Sequence, residues 1–534
     1  MSRTPLFAAV KRALARSFQE QGLVLPQSSA LTRRRLLRLS AAAAGAAALS
    51  PVLDLSADAK QRKRHAGPRP RSVAIIGGGA AGLTAAYRLQ QAGAKPVVFE
   101  ASNRWGGRMF TVYDFYKGMF CELGGEFVDT YHEDLHKLAA DLGVELQDLT
   151  TEGGDELYFF KGVFHTPKDM IDPEKQTGAF APIAKQIAAD ADKLTDKNDD
   201  WTPYASKLDN TSLKAYLEQF RGKTDDWAID LLDVAYNIEF GLLTEDQSSL
   251  AMVDFITTDM SKPFSMFGPS DEIYRIKGGS SALIKALVDA LENEIEMKQG
   301  HALTALDHKG GQIVMGFDAP GGPATESFDA VILALPFTKL RQVKGLEGLR
   351  LGAKKLKCIR ELGYGMNAKI AQGTTSRVWR SPDSGLPVPS NGIFYSDLGF
   401  QTLWDSSRAQ PGEAGIITDY IGVKPGLTDA KSALDAFHAD LPKMSPKMAE
   451  ALDPNAVTSW FWAVYPFSLG SYSSAKVGQY TTMLEVAAEP ALGGRLQFAG
   501  EHTSGDFIGF MNGAVLSGNR AAKALIKTMA LQKG

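Results

Sequence analysis

Near the start of the chain GGGAAG, Gly77–Gly82, has the spacing G-x-G-x-x-G, and an acid, Glu100, follows 18 residues after its last glycine. Each residue type has a physical job. Gly77 permits a tight turn, Gly79 lets the backbone approach a pyrophosphate, and Gly82 allows close helix–strand packing. The N–H groups at the start of the following helix present a positive dipole end to phosphates. The Glu100 carboxylate can accept hydrogen bonds from ribose hydroxyls. This chemistry is dinucleotide binding, and the turn by itself leaves NAD and FAD both open.

A second set of candidates lies far downstream. FAGEHTSGDFIGFMNGAVLSGNRAA, Phe498–Ala522, carries a carboxylate, Glu501, and an aromatic, Phe510, ahead of a run of small residues. GYGMNAKIAQ places Lys369 on an alternating, strand-like segment, with its neighbours Ala368 and Ile370 on the opposite face. CELGGEFVDT puts Glu126 directly after the double glycine Gly124–Gly125.

Specific elements must position these groups. SVAII, Ser72–Ile76, reads as a short strand, LTAAYRLQQAG as a helix and PVVFE as the next strand, ending at Glu100. FDAVILALP, Phe328–Pro336, is similar to the strand by which a flavoprotein family returns to its nucleotide domain, and YRIKGGSSALIKAL to that family's glycine turn entering a helix. The pattern predicts an α/β fold. A Rossmann-like nucleotide-binding domain is assembled from residues 72–130, 271–345 and 456–530. A substrate domain of mixed sheet and helices takes residues 131–270 and 346–455.

The chain has 534 residues, 22% charged, with a net charge of −3, so no whole-chain charge argues for nucleic acid or an anionic membrane. Two cysteines, Cys121 and Cys358, are too few for a disulfide framework or a cysteine-based metal site, and no metal is expected. They read as two free, buried thiols. TRRRLLR, Thr32–Arg38, followed by the alanine-rich LSAAAAGAAALSPVL, has the twin-arginine export pattern. The expectation is a signal peptide over residues 1–59, with Ala57-Asp58-Ala59 or Ala46–Ala48 as cleavage site. A basic linker then spans residues 60–71, the twin-arginine translocase is the implied partner, and the destination is the periplasm.

The run after Glu100, EASNRWGGRMFT with Arg104, Gly106, Gly107 and Arg108, resembles the flavin-containing amine oxidase superfamily. The likeness extends over roughly Ser72–Lys527. It departs at Ser102, where the family often has arginine. The resemblance implies FAD. Its cofactor-side positions are Gly77, Gly79, Ala81, Gly82, Glu100, Ala101 and Arg108. Further along they are Gly124, Gly125, Glu501, Met511 and Ala514. Lys369 matches the lysine that holds a water beside flavin N5. WFWAVYPFSLGSYSS places Ser471 where mitochondrial monoamine oxidases carry a flavin-linking cysteine, which implies non-covalent FAD. Tyr472 and Phe510 match the two members of the family's aromatic cage, so Lys369, Tyr472 and Phe510 are the catalytic candidates.

The implied reaction oxidises a primary or secondary amine to an imine by hydride-type transfer to flavin N5. Water then releases an aldehyde and ammonia or an amine. Oxygen would be reduced to hydrogen peroxide, and a quinone or cytochrome acceptor stays open. L-amino-acid oxidases of the superfamily usually carry a carboxylate-binding arginine in a Gly-x-Met-Arg run. This chain has GGEFVDT there, and Glu126 would attract a second ammonium group instead. Glu126, Tyr472 and Phe510 are thus the substrate-side candidates, and LWDSS, Leu403–Ser407, is a further segment near the site. An amine is favoured over an amino acid. L-amino-acid oxidase remains the alternative, a carotenoid desaturase or porphyrinogen oxidase a more distant one, and a non-catalytic FAD-binding protein a remote one. The oligomeric state stays open, a homodimer included.

Overall fold

The computed structural model describes residues 72–529, apart from 173, 176, 199, 257–265, 268–269 and 425–428. The expected leader and basic linker lie outside the described residues. Among the described residues no helix is long and apolar enough to cross a membrane.

One layer is a five-stranded sheet in the order Glu296–Lys298, Val97–Phe99, Val73–Ile76, Ala330–Leu333, Leu496–Phe498, and every neighbouring pair is parallel. All four residues of Val73–Ile76 are buried, as a parallel strand covered on both faces requires. The helices Ala80–Gln91 and Met511–Met529 pack on each other over this sheet, with Leu83, Ala85, Val515 and Ala522 in one apolar cluster. On the other face Phe99, Phe317, Phe328 and Phe337 form a second cluster, roofed by the antiparallel sheet Ala302–Lys309, Gln312–Asp318, Ala324–Phe328.

The second layer is a seven-stranded mixed sheet in the order Leu452–Phe461, Ala368–Thr374, Gly415–Ile421, Thr402–Asp405, Ser390–Ser396, Asp155–Phe160, Val163–His165. Its register puts Lys369 opposite Tyr420 and Tyr420 opposite Thr402. Period two then sends these side chains to one face and Ile370, Leu403 and Asp419 to the other. The latter face is closed by the helix Ala430–Met444 through Ala433, Phe437 and Leu441. The helices between Ala181 and Phe255 bundle around Phe180, Leu231, Leu232 and Tyr236. The longest of these, Asp226–Phe240, ends at the left-handed Gly241 and delivers Ile238–Phe240 to the cavity that the Lys369–Tyr420–Thr402 face borders.

The strand Leu452–Phe461 crosses the boundary expected at 455/456, because it pairs with Ala368–Thr374 from Leu452 through Phe461. Tyr274–Ile276, expected with the nucleotide segments, pairs with Phe127–Val128 and Leu146–Asp148.

Candidate active site

A single cavity of about 1220 Å³ runs from the first glycine turn to the face of the seven-stranded sheet. At its first end the chain leaves Val73–Ile76 at Gly77 with φ +110°, where a Cβ would lie 2.7 Å from the Ala334 carbonyl oxygen. A Cβ on Gly82 would lie 1.9 Å from the Gly77 carbonyl oxygen, so the helix starting at Ala80 can press against the strand end only with glycine there. Gly79 is the N-cap and offers no side chain. The first N–H groups of the helix therefore face the cavity uncapped.

Glu100 holds this turn in shape. One carboxylate oxygen accepts from the Gly78 N–H at 2.8 Å, the other from the Ser102 N–H and hydroxyl, each at 2.8 Å. Acceptor capacity remains on the carboxylate for a ribose. Arg104 donates to the Gly107 and Met109 carbonyls and lies 4.4 Å from the Phe110 ring centroid, which pins the double-glycine loop. That loop touches the first turn through Gly106 N–H to Gly78 O at 2.8 Å. Ala81 and Ala101 line the cavity beside it. These features fit a dinucleotide: a cradle with no Cβ in it, an uncapped helix start and an acid at the second strand's end.

The middle of the cavity is a clamp. Arg108 donates to the Ser471 carbonyl at 2.8 Å and to Glu501 at 2.9 Å. Glu501 also accepts from the Ser473 N–H at 3.0 Å, the Ser473 hydroxyl at 2.6 Å and the Gly509 N–H at 2.9 Å. Burial pushes its pKa up, but Arg108, His502 and these donors outweigh burial and hold it below the ordinary carboxylate range. Its four acceptor sites are thus taken by the protein. Glu501 lines the cavity, where it fixes Arg108 and the segment 471–473. The small residues near the C-terminus allow close packing, since a Gly513 Cβ would meet the Phe507 carbonyl oxygen at 1.9 Å and a Gly518 Cβ the Ala81 carbonyl oxygen at 2.4 Å. Met511 and Ala514, in the first turn of that helix, line the cavity, and Met511 lies against the bare Cα side of Gly125.

At the far end Lys369 is 5% exposed and lies on an interior strand, between Leu452–Phe461 and Gly415–Ile421. Its Nζ donates to the Gly124 carbonyl at 2.9 Å and to Glu126 at 3.1 Å, and sits 4.8 Å from the Trp404 ring centroid. Glu126, 4% exposed, also accepts from Trp404 Nε1 at 3.0 Å and the Ser406 hydroxyl at 3.1 Å. The expectation that Glu126 offers free negative charge to a substrate is corrected, because Lys369 balances it. The LWDSS segment does reach the site, through Trp404 and Ser406.

Tyr472 hydrogen-bonds the Tyr420 hydroxyl at 2.8 Å and donates to the Glu239 carbonyl. Burial raises both phenols' pKa, so they stay neutral. Tyr420 in turn lies 5.1 Å from Trp404, which makes a Tyr472–Tyr420–Trp404 aromatic wall. Phe510 lines the same cavity and packs edge-on against His132 at 5.1 Å. The Ser471 hydroxyl is bonded to Asn367 Oδ1 at 2.6 Å. Both cysteines are free and buried, and neither lines the cavity.

Among the charged groups that line the cavity and that sequence reasoning missed are Glu156, Glu239, Glu272 and Arg408. The surrounding protein, and then Asp129, push the Glu239 carboxyl up to about 7. Burial likewise raises Glu156, although the Tyr158 hydroxyl bonds to it at 2.9 Å.

The profile that describes flavin-containing amine oxidoreductases matches residues 80–526. The chain belongs to the flavin-containing amine oxidoreductase family. FAD is therefore the dinucleotide, and the enzyme is an FAD-dependent oxidoreductase acting on amines. An L-amino-acid oxidase of Bungarus fasciatus is 22% identical over 479 residues, covering 85% of this chain and 86% of its own. A protein of Oryza sativa subsp. indica called lysine-specific histone demethylase 1 homolog 3 is 27% identical over 475 residues, covering 87% of this chain and 55% of its own. Among solved structures, cyclohexylamine oxidase from Brevibacterium oxydans superposes with a TM-score of 0.73 at 21% identity, covering 86% of this chain and 100% of that one. Putrescine oxidase with bound putrescine gives 0.69 at 19% identity, with 86% and 99% covered.

Proposed function

We propose that this oxidoreductase oxidises the C–N bond of a cationic amine to an imine, which water hydrolyses to a carbonyl compound and ammonia or an amine, with oxygen reduced to hydrogen peroxide. The observation that carries this reading is the single cavity joining the dinucleotide turn to the Lys369–Glu126 pair and the Tyr472–Tyr420–Trp404 wall. Bound FAD supplies the two-electron acceptor.

The chain's own residues bind and orient. Gly77–Gly82, Glu100 and Arg108 hold the dinucleotide end. The neutral phenols and Trp404 offer π faces to an approaching amine, with Phe510 on the same cavity surface. Lys369 has three N–H donors, two of them used on Gly124 and Glu126, and the third serves a water in the cavity. Burial raises the Glu156, Glu239 and Glu272 carboxyls, and a substrate that carries positive charge away from its reacting nitrogen would draw off their protons and be favoured there. With Ser471 engaged by Asn367 and both cysteines outside the cavity, the cofactor is held without a covalent link. The arginine run at residues 33–35 supports export of the folded holoprotein to the periplasm by the twin-arginine route.

The test is a screen of amines and L-amino acids for coupled oxygen uptake and peroxide release. Cationic substrates should be oxidised best. Oxidation confined to neutral, apolar amines would refute the charge reading.

A further inference from the structure

Arg408 comes from no motif that marks the cofactor or the aromatic wall, and its surroundings are unusual. The turn that carries it is held from every side. Arg275, 1% exposed, donates to the Ser406 carbonyl at 2.8 Å and to the Arg408 carbonyl at 2.6 Å. The Gln410 side chain donates to the Ser406 carbonyl at 2.8 Å and the Phe120 carbonyl at 2.9 Å. Asp405 accepts from the Ser407 N–H at 2.8 Å and Trp379 Nε1 at 3.2 Å, and Glu152 accepts from the Ala409 N–H at 2.7 Å. Ala409 is kept at φ +54°, a left-handed conformation that a non-glycine residue adopts only when its surroundings enforce it.

What this turn presents is a guanidinium, 8% exposed and facing the cavity. Its Nε donates to the Asp405 carbonyl at 3.2 Å, and its Cζ sits 5.3 Å from the Phe127 ring centroid. Among the described residues its two Nη atoms have no hydrogen bond and no ion pair. Four N–H donors in a planar fork therefore face the cavity without a hydrogen-bond partner; the Glu156 and Glu272 carboxyls feel the Arg408 charge, but burial raises both toward the neutral form, which leaves the fork free for an incoming anion. Phe127 lies 5.4 Å from Trp404, the residue that also bonds Glu126 beside Lys369. The open fork is thus one aromatic ring away from Trp404 and the Lys369 end of the cavity. Glu156, Glu239 and Glu272 line the same cavity; burial raises all three carboxyls toward the neutral form, and a cation brought beside them would draw their protons off.

We propose that Arg408 binds the carboxylate of the substrate, and that the substrate is an α-amino acid with a cationic side chain, its carboxylate on Arg408 and its distal cation among the three glutamates. This rests on the amine-oxidising reading above and narrows it. Phe127 occupies the stretch where the sequence lacks a carboxylate-binding arginine, and Arg408 brings the missing charge to that ring from 281 positions downstream.

The test compares L-arginine with agmatine, its decarboxylated counterpart, and L-lysine with L-norleucine, which lacks the distal ammonium. On the FAD-loaded enzyme, kcat/KM should favour L-arginine over agmatine by at least about 100-fold, since a site built to bond a group rejects the analogue lacking it. L-lysine should exceed L-norleucine by at least about tenfold. Arg408→Met should remove most of the first preference while changing agmatine by less than about threefold, and Arg408→Lys should restore part of it. Arginine lacking its α-amino group cannot react, and should raise the melting temperature of the natural protein but not of Arg408→Met. Agmatine used as well as L-arginine would overturn the proposal and leave amine oxidation standing. Equal losses on both substrates in Arg408→Met and Arg408→Lys would also overturn it, because Arg408 would then be structural. No turnover of L-arginine or L-lysine would overturn the proposal, and no turnover of any member of the wider panel of amines and amino acids would overturn the underlying reading with it.

Discussion

Replacing Lys369 by methionine removes one half of a buried ion pair. The Nζ–Oε2 separation is 3.1 Å, and the two side chains are 6% and 1% exposed, so bulk water has little access to replace the lost partner. Glu126 would keep only the neutral donors Trp404 Nε1 and Ser406 Oγ. Leaving a buried charge without its partner costs about 3–5 kcal/mol. Glu126→Gln strands the ammonium instead, with the Gly124 carbonyl still accepting from it, and should cost about 2–4 kcal/mol. In the double variant no net charge is left buried, Met lies beside an amide, and the cost should fall below the sum of the singles by about 2 kcal/mol or more. The assay is urea unfolding of the FAD-loaded protein for all four members of the cycle, with flavin content and the rate of substrate-driven flavin bleaching measured on each. Lys369→Met should keep its FAD, because no residue of the glycine turn touches Lys369, and should slow bleaching. Costs that add within about 0.5 kcal/mol would show that the two groups are not coupled and would refute the ion-pair account. Unchanged bleaching would refute a role for Lys369 in the reaction.

Gly82→Ala should lower FAD affinity by at least about tenfold and destabilise by about 1–3 kcal/mol, since the new methyl would sit 1.9 Å from the Gly77 carbonyl oxygen; flavin release on gel filtration and unfolding curves check both. Glu239 should gain its charge as pH rises through about 7, so KM for a cationic substrate should fall over about pH 6 to 8. At an effective dielectric of about 20, a carboxylate about 8 Å from the substrate cation contributes about 2 kcal/mol, or roughly 30-fold. Glu239→Gln should flatten that slope, and an unaltered slope would assign the titration elsewhere. Glu122, pushed up to about 7 first by burial and then by Glu126, holds its proton in the folded state over a range where the unfolded state has lost it. Its contribution to stability is complete below about pH 4.5 and is lost as pH rises through about 7. Glu122→Gln should therefore gain on the natural protein by up to about 3 kcal/mol at pH 8 relative to pH 4.5, read from unfolding at both values.

The dinucleotide end was legible because its parts are local. Gly77, Gly79, Gly82 and Glu100 lie within one strand–helix–strand unit, where spacing alone implies the geometry. The sheet and helix classes followed from the same periodicities. The substrate end was harder, because it is assembled across long sequence distances. Alternation put Lys369 on one strand face, but not on an interior strand, since strand order depends on pairing with Gly415–Ile421 and Leu452–Phe461. Glu126 read as a free acid because its partner stands 243 positions away. The donors that fix Glu501, namely Arg108, Ser473 and Gly509, come from three separate segments and share no spacing. Glu156, Glu239, Glu272 and Arg408 carry no shared spacing and meet only when the helices and both sheets close around the cavity.

The most direct test is anaerobic mixing of the FAD-loaded protein with a panel of cationic amines and amino acids while the oxidised flavin absorbance is followed. The structure predicts bleaching by cationic members of the panel, restored when oxygen is admitted. Flavin bound at about one per chain that stays oxidised with every compound would contradict the assignment of this cavity to amine oxidation.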